Sequence, residues 1–547
     1  MSLFLTIIFI LTSFSCRMAY SDAVTITMPI PANYVGCEAW LVKQNISDYY
    51  IPSVNDSITF TGFAASEVKN NNVYSSAVKN AGNEVVRIDV QGHSADFLSR
   101  VDPDLGRENT PRVNKSVLAS ETKSTSQTFL IPDVRSSTIP LQSVDCDLLT
   151  SDDVCNIYID NRIGDTECGI FPFYSYPAVD HNILKTNADD LKSTFVNKIY
   201  PKVTTLMGSG SVSDIAFFSD SRRERMKDSK INIIITDINR TQSATQGTVG
   251  FFYNGDFFKV DSNKGNPWGN KLLCFYIDYT FWRRNTALVT TTLAHEFTHM
   301  LNYGQKNVKY GNRSPSTWWT ELLAMVMEDV LSKELFGESI SHSPQYLRFG
   351  SYLDANDDLH VPFGEFYSSN AEVMLSYGTC YMMGAFLARN FGGAALIHDV
   401  ATNYAPGSYE SWDVALAKCS SNLTEHSTLS GALSEFPIAL IASSCEEAEG
   451  IQDRPHKYSF FNKSDKRSSS IGSEEYIFEP FPKFQKPAKR FSLPYTGYMY
   501  PYDFDIQELG IVTETSNITI SNLNEAVTYR LVFRDKNGKM YTNTRIQ

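Results

Sequence analysis

The spacing of apolar residues changes character along the chain, and with it the elements expected. From residue 22 to about 180 the period is two. Residues 23–28, 57–60, 128–131 and 156–160 alternate or run apolar between polar flanks, as strands do, and Pro132 closes the third of them. Between them, residues 102–126 are polar, contain Pro103 and Pro111, and read as a long loop or linker. Near Asp189 the period becomes helical: Leu191, Phe195, Ile199 and Val203 recur every four residues, with Asp189 and Asp190 at the favourable N-terminal end. Pro201 is expected to kink this helix.

Residues 231–238 form a short apolar run that predicts a buried strand, and residues 273–278 predict another. Residues 250–258 place Asn254-Gly255 between aromatic pairs, the pattern of a hairpin. Helical patterns then dominate. One starts near Asn285 or Thr286, either of which can cap it. A second starts at Ser316, with Trp318, Leu322, Met325, Val326 and Val330 on its apolar stripe. A third spans 372–390 and ends at Gly392-Gly393. Two more run through 412–418 and 429–442. After Ile451 the composition shifts again. Residues 464–473 are polar and read as a linker. Ile518 and Ile520, then Val527, Tyr529, Leu531 and Phe533, lie on strand faces, and Asn537-Gly538 turns the last strand back on Met540.

This pattern divides the chain into a signal peptide (1–21), a β-rich N-terminal module (22–180), a catalytic-type α+β domain with a mixed sheet (181–450), and a linker with a small β-module (451–547). The 547 residues exceed what one core sustains. The net charge of −13 argues against nucleic acid as a partner, since phosphate binding requires a basic surface. Residues 3–14 are apolar and Ala19-Tyr20-Ser21 fits a signal-peptidase site, so the chain is expected to be exported: secreted, or held at a cell surface or in a periplasm. That run is too short for a permanent membrane span, and no later stretch qualifies. A lipid anchor at Cys16 is the minor alternative. Export would leave eight cysteines in an oxidising compartment, with a local bridge among Cys146, Cys155 and Cys168 plausible, and no C-x-x-C pair exists.

The chemistry centres on Ala294-His295-Glu296-Phe297-Thr298-His299. One helical turn separates the two histidines, so both imidazoles leave the same face and can hold one Zn²⁺, with Glu296 beside them as general base toward the zinc-bound water. A catalytic zinc needs a third protein ligand, and Glu321 lies early in a second helix that a short turn folds back on the first. Glu328 and Asp329 follow two turns later, and either can accept a hydrogen bond from a ligand imidazole. An oxyanion donor is expected from Tyr377 or Tyr381. Trp318 and Trp319 read as packing residues. Residues 354–358 spell D-x-N-x-D, but Leu359 stands where a calcium loop needs Gly, so a solvated loop is favoured.

These residues together, with Trp318-Trp319-Thr320-Glu321-Leu322-Leu323-Ala324, Glu328-Asp329 and the run from Tyr377 to Gly393, resemble the hyicolysin-type neutral zinc metallopeptidases over about 231–393. The resemblance implies a thermolysin-like catalytic fold of the gluzincin type, one catalytic zinc, and peptide-bond hydrolysis by an exported bacterial enzyme. It implies His295, His299 and Glu321 as ligands, Glu296 as base, and, by register, Tyr377 as the oxyanion donor. The family usually carries Gly after the third-ligand Glu, where this chain has Leu322. No exopeptidase motif is visible, so an endopeptidase acting on polypeptides is favoured. The alternative is a surface adhesin or binding protein with a weak or inactive zinc site; the presence of Glu296 speaks for the enzyme.

Overall fold

The structure is a computed structural model. It describes residues 25–64 (except 53 and 55), 86–87, 126–135, 141–163, 181–208, 230–257 (except 242, 243, 245 and 246), 269–310, 315–337, 348, 361–367, 372–419, 426–442, 467–479 and 498–542 (except 525). Five earlier expectations fall outside them: the signal segment with Cys16, the polar stretch up to residue 125, the 354–358 loop, Cys168 and Cys445.

A six-stranded mixed sheet organises the centre. Its order is Gly250–Phe252, Leu273–Asp278, Ile231–Thr236, Cys155–Asp160, Leu141–Ser151 and Ser126–Pro132. The three middle strands are parallel and the outer pairings antiparallel. The parallel strands are covered on both faces, which is why Ile231–Thr236 reads as an unbroken apolar run with all six residues buried. Ile233 and Ile235 enter the large core beneath the helices, while Ile234 faces a smaller cluster with Phe129, Tyr158, Phe251 and Tyr276. The two polar side chains of the run are satisfied: Asn232 accepts from Asn156 Nδ2 at 3.0 Å, and Thr236 Oγ1 donates to Asp160 at 2.7 Å.

The expected domain boundaries do not follow the sheets. Residues 126–160 were read as part of an N-terminal module, yet they supply half the strands of the central sheet. The rest of that segment joins the far end of the chain. Glu38–Asn45 is the middle strand of a five-stranded sheet, flanked by Phe504–Val512 and Val527–Arg534. Ile26–Ile30 and Ser57–Phe60 flank Ser516–Ser521 in a second sheet. The C-terminal β-module is therefore built from both ends of the described chain.

Both faces of Glu38–Asn45 are buried. Ala39 and Leu41 face the core between the two sheets, with Ile518, Tyr529 and Phe533. Trp40 and Val42, on the opposite face by the two-residue period, join the large core of the helical domain. Polar contacts reinforce that seam: Gln44 Nε2 donates to the Leu433 carbonyl at 2.9 Å, and buried Arg530 pairs with Glu435 at 3.2 Å. The expected turn at Asn537-Gly538 is present, with Gly538 at φ 80°, a conformation that favours glycine.

Four local expectations are corrected. Residues 467–471, part of the supposed linker, form a strand paired with Glu474–Phe478, and Ser469 Oγ accepts a hydrogen bond from the Ala394 amide. The aromatic run after Asn254-Gly255 does not return as a hairpin; Asn254–Phe257 is a 3-10 turn, and Gly250–Phe252 pairs with Leu273–Asp278 instead. Cys146 and Cys155 are both buried and unbridged, as are Cys37, Cys274 and Cys380, while Cys419 is free and partly exposed. Pro201 breaks no helix: it sits in the first turn of Tyr200–Met207, where its missing N–H costs nothing, directly after a π-helical turn at Phe195–Ile199.

Removing residues 1–64 is expected to unfold the C-terminal module, because its sheet would lose its central strand. Limited proteolysis should then digest 498–542, which the intact chain protects. Protection equal to that of the intact chain would contradict the shared module.

Candidate metal centre

Three helices meet over the central sheet: α1 (Thr286–Tyr303), α2 (Thr317–Phe336) and α3 (Val373–Phe391). Asn285 caps α1 as expected, its Oδ1 accepting the Leu288 amide at 3.3 Å. Phe297 holds α1 in place through a tilted contact with Phe275 of the sheet, an edge contact with Phe195 and a stack on Tyr200. Ser316 occupies the cap position of α2 without a side-chain bond; its carbonyl accepts the Trp319 and Thr320 amides. Instead Trp319 secures the start of α2, its indole N–H donating to Ser411 Oγ at 2.7 Å. Gly304 does not begin a loop: α1 continues as a π-helix over Gly304–Lys309, with Gln305 and Lys306 buried.

The approach of α2 to α3 explains how Leu322 is accommodated. A side chain at Gly384 would meet Leu322 Cδ2 at 2.7 Å and Val326 Cγ2 at 2.7 Å. The bulk of Leu322 is thus received by a glycine on the facing helix.

Within this packing, His295, His299 and Glu321 converge. Their ligand atoms lie within 4.8 Å of one another, and among the described residues they are the group of three or more His, Cys, Asp or Glu that could hold a metal ion. His295 Nε2 is 3.2 Å from Glu321 Oε2 and His299 Nε2 is 3.6 Å from Glu321 Oε1. The two imidazole centroids are 4.6 Å apart and inclined at 75°. All three side chains are buried, as is Glu296.

Glu328, rather than Asp329, supports a ligand: its Oε1 lies 2.7 Å from His295 Nδ1. With the proton on Nδ1 donated to Glu328, the Nε2 lone pair of His295 faces His299 and Glu321. Asp329 turns to α3 and pairs with buried Arg389 at 2.7 Å. Sequence reasoning did not single out Arg389; the signal available was a lone basic residue inside an apolar helix, eight positions after Tyr381. Tyr381 belongs to this same group, because Asp329 and Arg389 are its charged neighbours. Tyr377 lies on the ligand side, its ring 6.4 Å from that of His295. His398 is bonded through Nδ1 to the Leu206 carbonyl oxygen at 3.0 Å.

The fit to a cation is tested by the polar atoms left over. His295 Nε2, His299 Nε2, both Glu321 oxygens and both Glu296 oxygens are buried and have no hydrogen-bond partner. Orphans of this kind are rare and costly, and here they point at one another. Two imidazole nitrogens and a carboxylate are a donor set that zinc accepts while keeping a position open.

The electrostatics of the metal-free site agree. Burial pushes the Glu296 carboxyl up to about 8, and nearby Glu321 adds to this while His295 opposes it. Burial also acts to raise Glu321, but His299 and His295 outweigh it and hold that carboxyl at about 2. Burial lowers His299. It acts the same way on His295, where Glu321 and Glu328 prevail and raise the imidazole to about 10. At neutral pH Glu321 is thus ionised and His295 protonated, and a metal ion would bind in place of that proton.

Helices, cluster and flanking glutamate together define a metallopeptidase-type site. Comparison with known proteins leads to the same place. Residues 189–457 match the family model described as peptidase M30. Over 157 residues it is 31% identical to the neutral metalloprotease ShpI of Staphylococcus hyicus, a match covering 27% of this chain and 32% of that protein. The chain thus spans about a third of the length of the curated relative it matches. The resemblance to the hyicolysin-type peptidases is borne out. None of the described helices is long and apolar enough to cross a membrane.

Glu328→Gln is expected to weaken divalent-metal binding about 10- to 100-fold, as loss of an imidazole's outer partner does. Chelator competition measures it, and an unchanged affinity would contradict the role given to Glu328.

Proposed function

We propose that the chain is a secreted zinc endopeptidase of thermolysin-like catalytic fold, with His295, His299 and Glu321 as ligands and Glu296 as general base. The observation that carries this reading is the convergence of three buried, unpartnered ligand side chains beside an equally unpartnered Glu296. Zinc bound there would polarise the scissile carbonyl and lower the pKa of a water molecule.

The chain's own residues do the rest. Glu296 adjoins the ligand His295 in sequence, so its carboxylate shares the site and can take a proton from water and return it to the leaving amine. Glu328 fixes the tautomer and ring plane of His295. The hydroxyl of Tyr377 serves as the oxyanion donor. Its closeness to His295 supports Tyr377 over Tyr381, which sits with Asp329 and Arg389. The export pattern at the N-terminus supports secretion, and polypeptides are the substrates.

The test is hydrolysis of casein, and of peptides blocked at both ends, with and without chelator. Glu296→Gln is expected to lose roughly 10²- to 10⁴-fold in rate, the usual contribution of a general base, while retaining one zinc per chain. Blocked peptides should be cleaved as well as free ones. Activity in the Glu296→Gln protein within a few-fold of the wild type would contradict the mechanism, and cleavage of free-ended peptides alone would contradict an endopeptidase.

A further inference from the structure

Among the described residues, two buried arginines come with counterions and a third does not. Arg389 has Asp329 at 2.7 Å and Arg530 has Glu435 at 3.2 Å. Arg348 is only 2% exposed. Its contacts are the face of the Tyr377 ring, 4.8 Å from the guanidinium carbon to the centroid, and Met374 Sδ, 3.4 Å from Nη1. Among the described residues no carboxylate pairs with it. An aromatic face and a thioether are weak partners for a desolvated cation. The nearby backbone makes the shortfall worse. Met374 lies in the first turn of α3, whose N-terminal end adds positive potential.

The position of this cation relates it to the metal centre. Tyr377 is the shared neighbour, with the guanidinium over its ring and the ring of His295 6.4 Å from its centroid. A peptide held at the cluster in extended form advances ~3.5 Å per residue, so it reaches the guanidinium within about three residues. A guanidinium is the side chain best shaped to take a carboxylate in two parallel hydrogen bonds, and burial strengthens the pairing.

We propose that Arg348 binds a carboxylate of the peptide substrate, so that the enzyme selects polypeptides carrying an acidic side chain or a free C-terminal carboxylate within about three residues of the cleaved bond. This rests on the peptidase reading above. Arg348 acts here on specificity, and the bond-breaking chemistry does not require it.

Two peptide series test it with the full zinc-loaded chain. One compares Glu with Gln at each position around the cleaved bond, in peptides amidated at the C-terminus. The other compares free and amidated C-termini on neutral peptides. One of the two series should show a kcat/KM ratio of roughly ten- to a hundredfold in favour of the carboxylate, the range expected for a hydrogen bond to a charged group. Which series shows it identifies the source of the carboxylate. In Arg348→Gln the ratio should fall to within about twofold of unity while the neutral amidated peptides change less than threefold, and Arg348→Lys should keep part of it, on the scale of a single charged contact. Binding of labelled Glu and Gln peptides to the Glu296→Gln chain, read by fluorescence anisotropy, should show the same ratio and the same loss on adding Arg348→Gln. A wild type without carboxylate preference, or a preference that Arg348→Gln leaves intact, overturns the proposal. If no peptide is cleaved, the peptidase reading fails, and the anisotropy ratio alone decides whether Arg348 binds carboxylates.

Discussion

Two imidazoles and a carboxylate brought together out of water need a positive charge to compensate them, and the packing of the helical domain brings His295, His299 and Glu321 together in this way. Water is kept from His295, His299 and Glu321 by the packing of α1, α2 and α3. Their ligand atoms find no hydrogen-bond donors or acceptors among neighbouring side chains. Desolvating such groups costs several kcal/mol each unless a charge compensates. A divalent ion bound there would supply that compensation, and its binding energy would then contribute to folding as well as to chemistry.

The outer contacts follow from the same constraint. A ligand imidazole is useful only in one tautomer and one orientation, which Glu328 imposes on His295. The neighbouring acid, Asp329, must then be neutralised elsewhere, and Arg389 on α3 does so. Adjacent carboxylates on α2 are thus divided between metal support and helix pairing. The same third helix brings Tyr377 to the ligand side and leaves Tyr381 with Asp329 and Arg389. The β-module anchors the far side of the helices, because Glu38–Asn45 buries one face in each core.

The convergence of His295, His299 and Glu321 was legible because its signals are local. His295 and His299 are one helical turn apart, and Glu321 follows after a turn too short to carry it away. The choice between Glu328 and Asp329 was not legible, since adjacent helical positions can both reach a neighbour and the deciding partner, Arg389, lies 60 positions further on. The strand at 38–45 was equally opaque in its pairing. Alternation reveals a strand but not its neighbours, and these partners come from residues 504–512 and 527–534. The turn at Asn254-Gly255 misled for a related reason: a strong turn signal says nothing about a more favourable edge offered by 273–278. Arg348 left no trace in the sequence pattern, because a buried cation is recognised only by the absence of its counterion.

The most direct test of the account is X-ray absorption at the zinc edge on the purified full chain. The account predicts one zinc per chain with two nitrogen neighbours and one carboxylate oxygen at about 2.0–2.2 Å, together with a further light-atom neighbour. A chain that takes up no metal, or a zinc surrounded by sulfur, would contradict it.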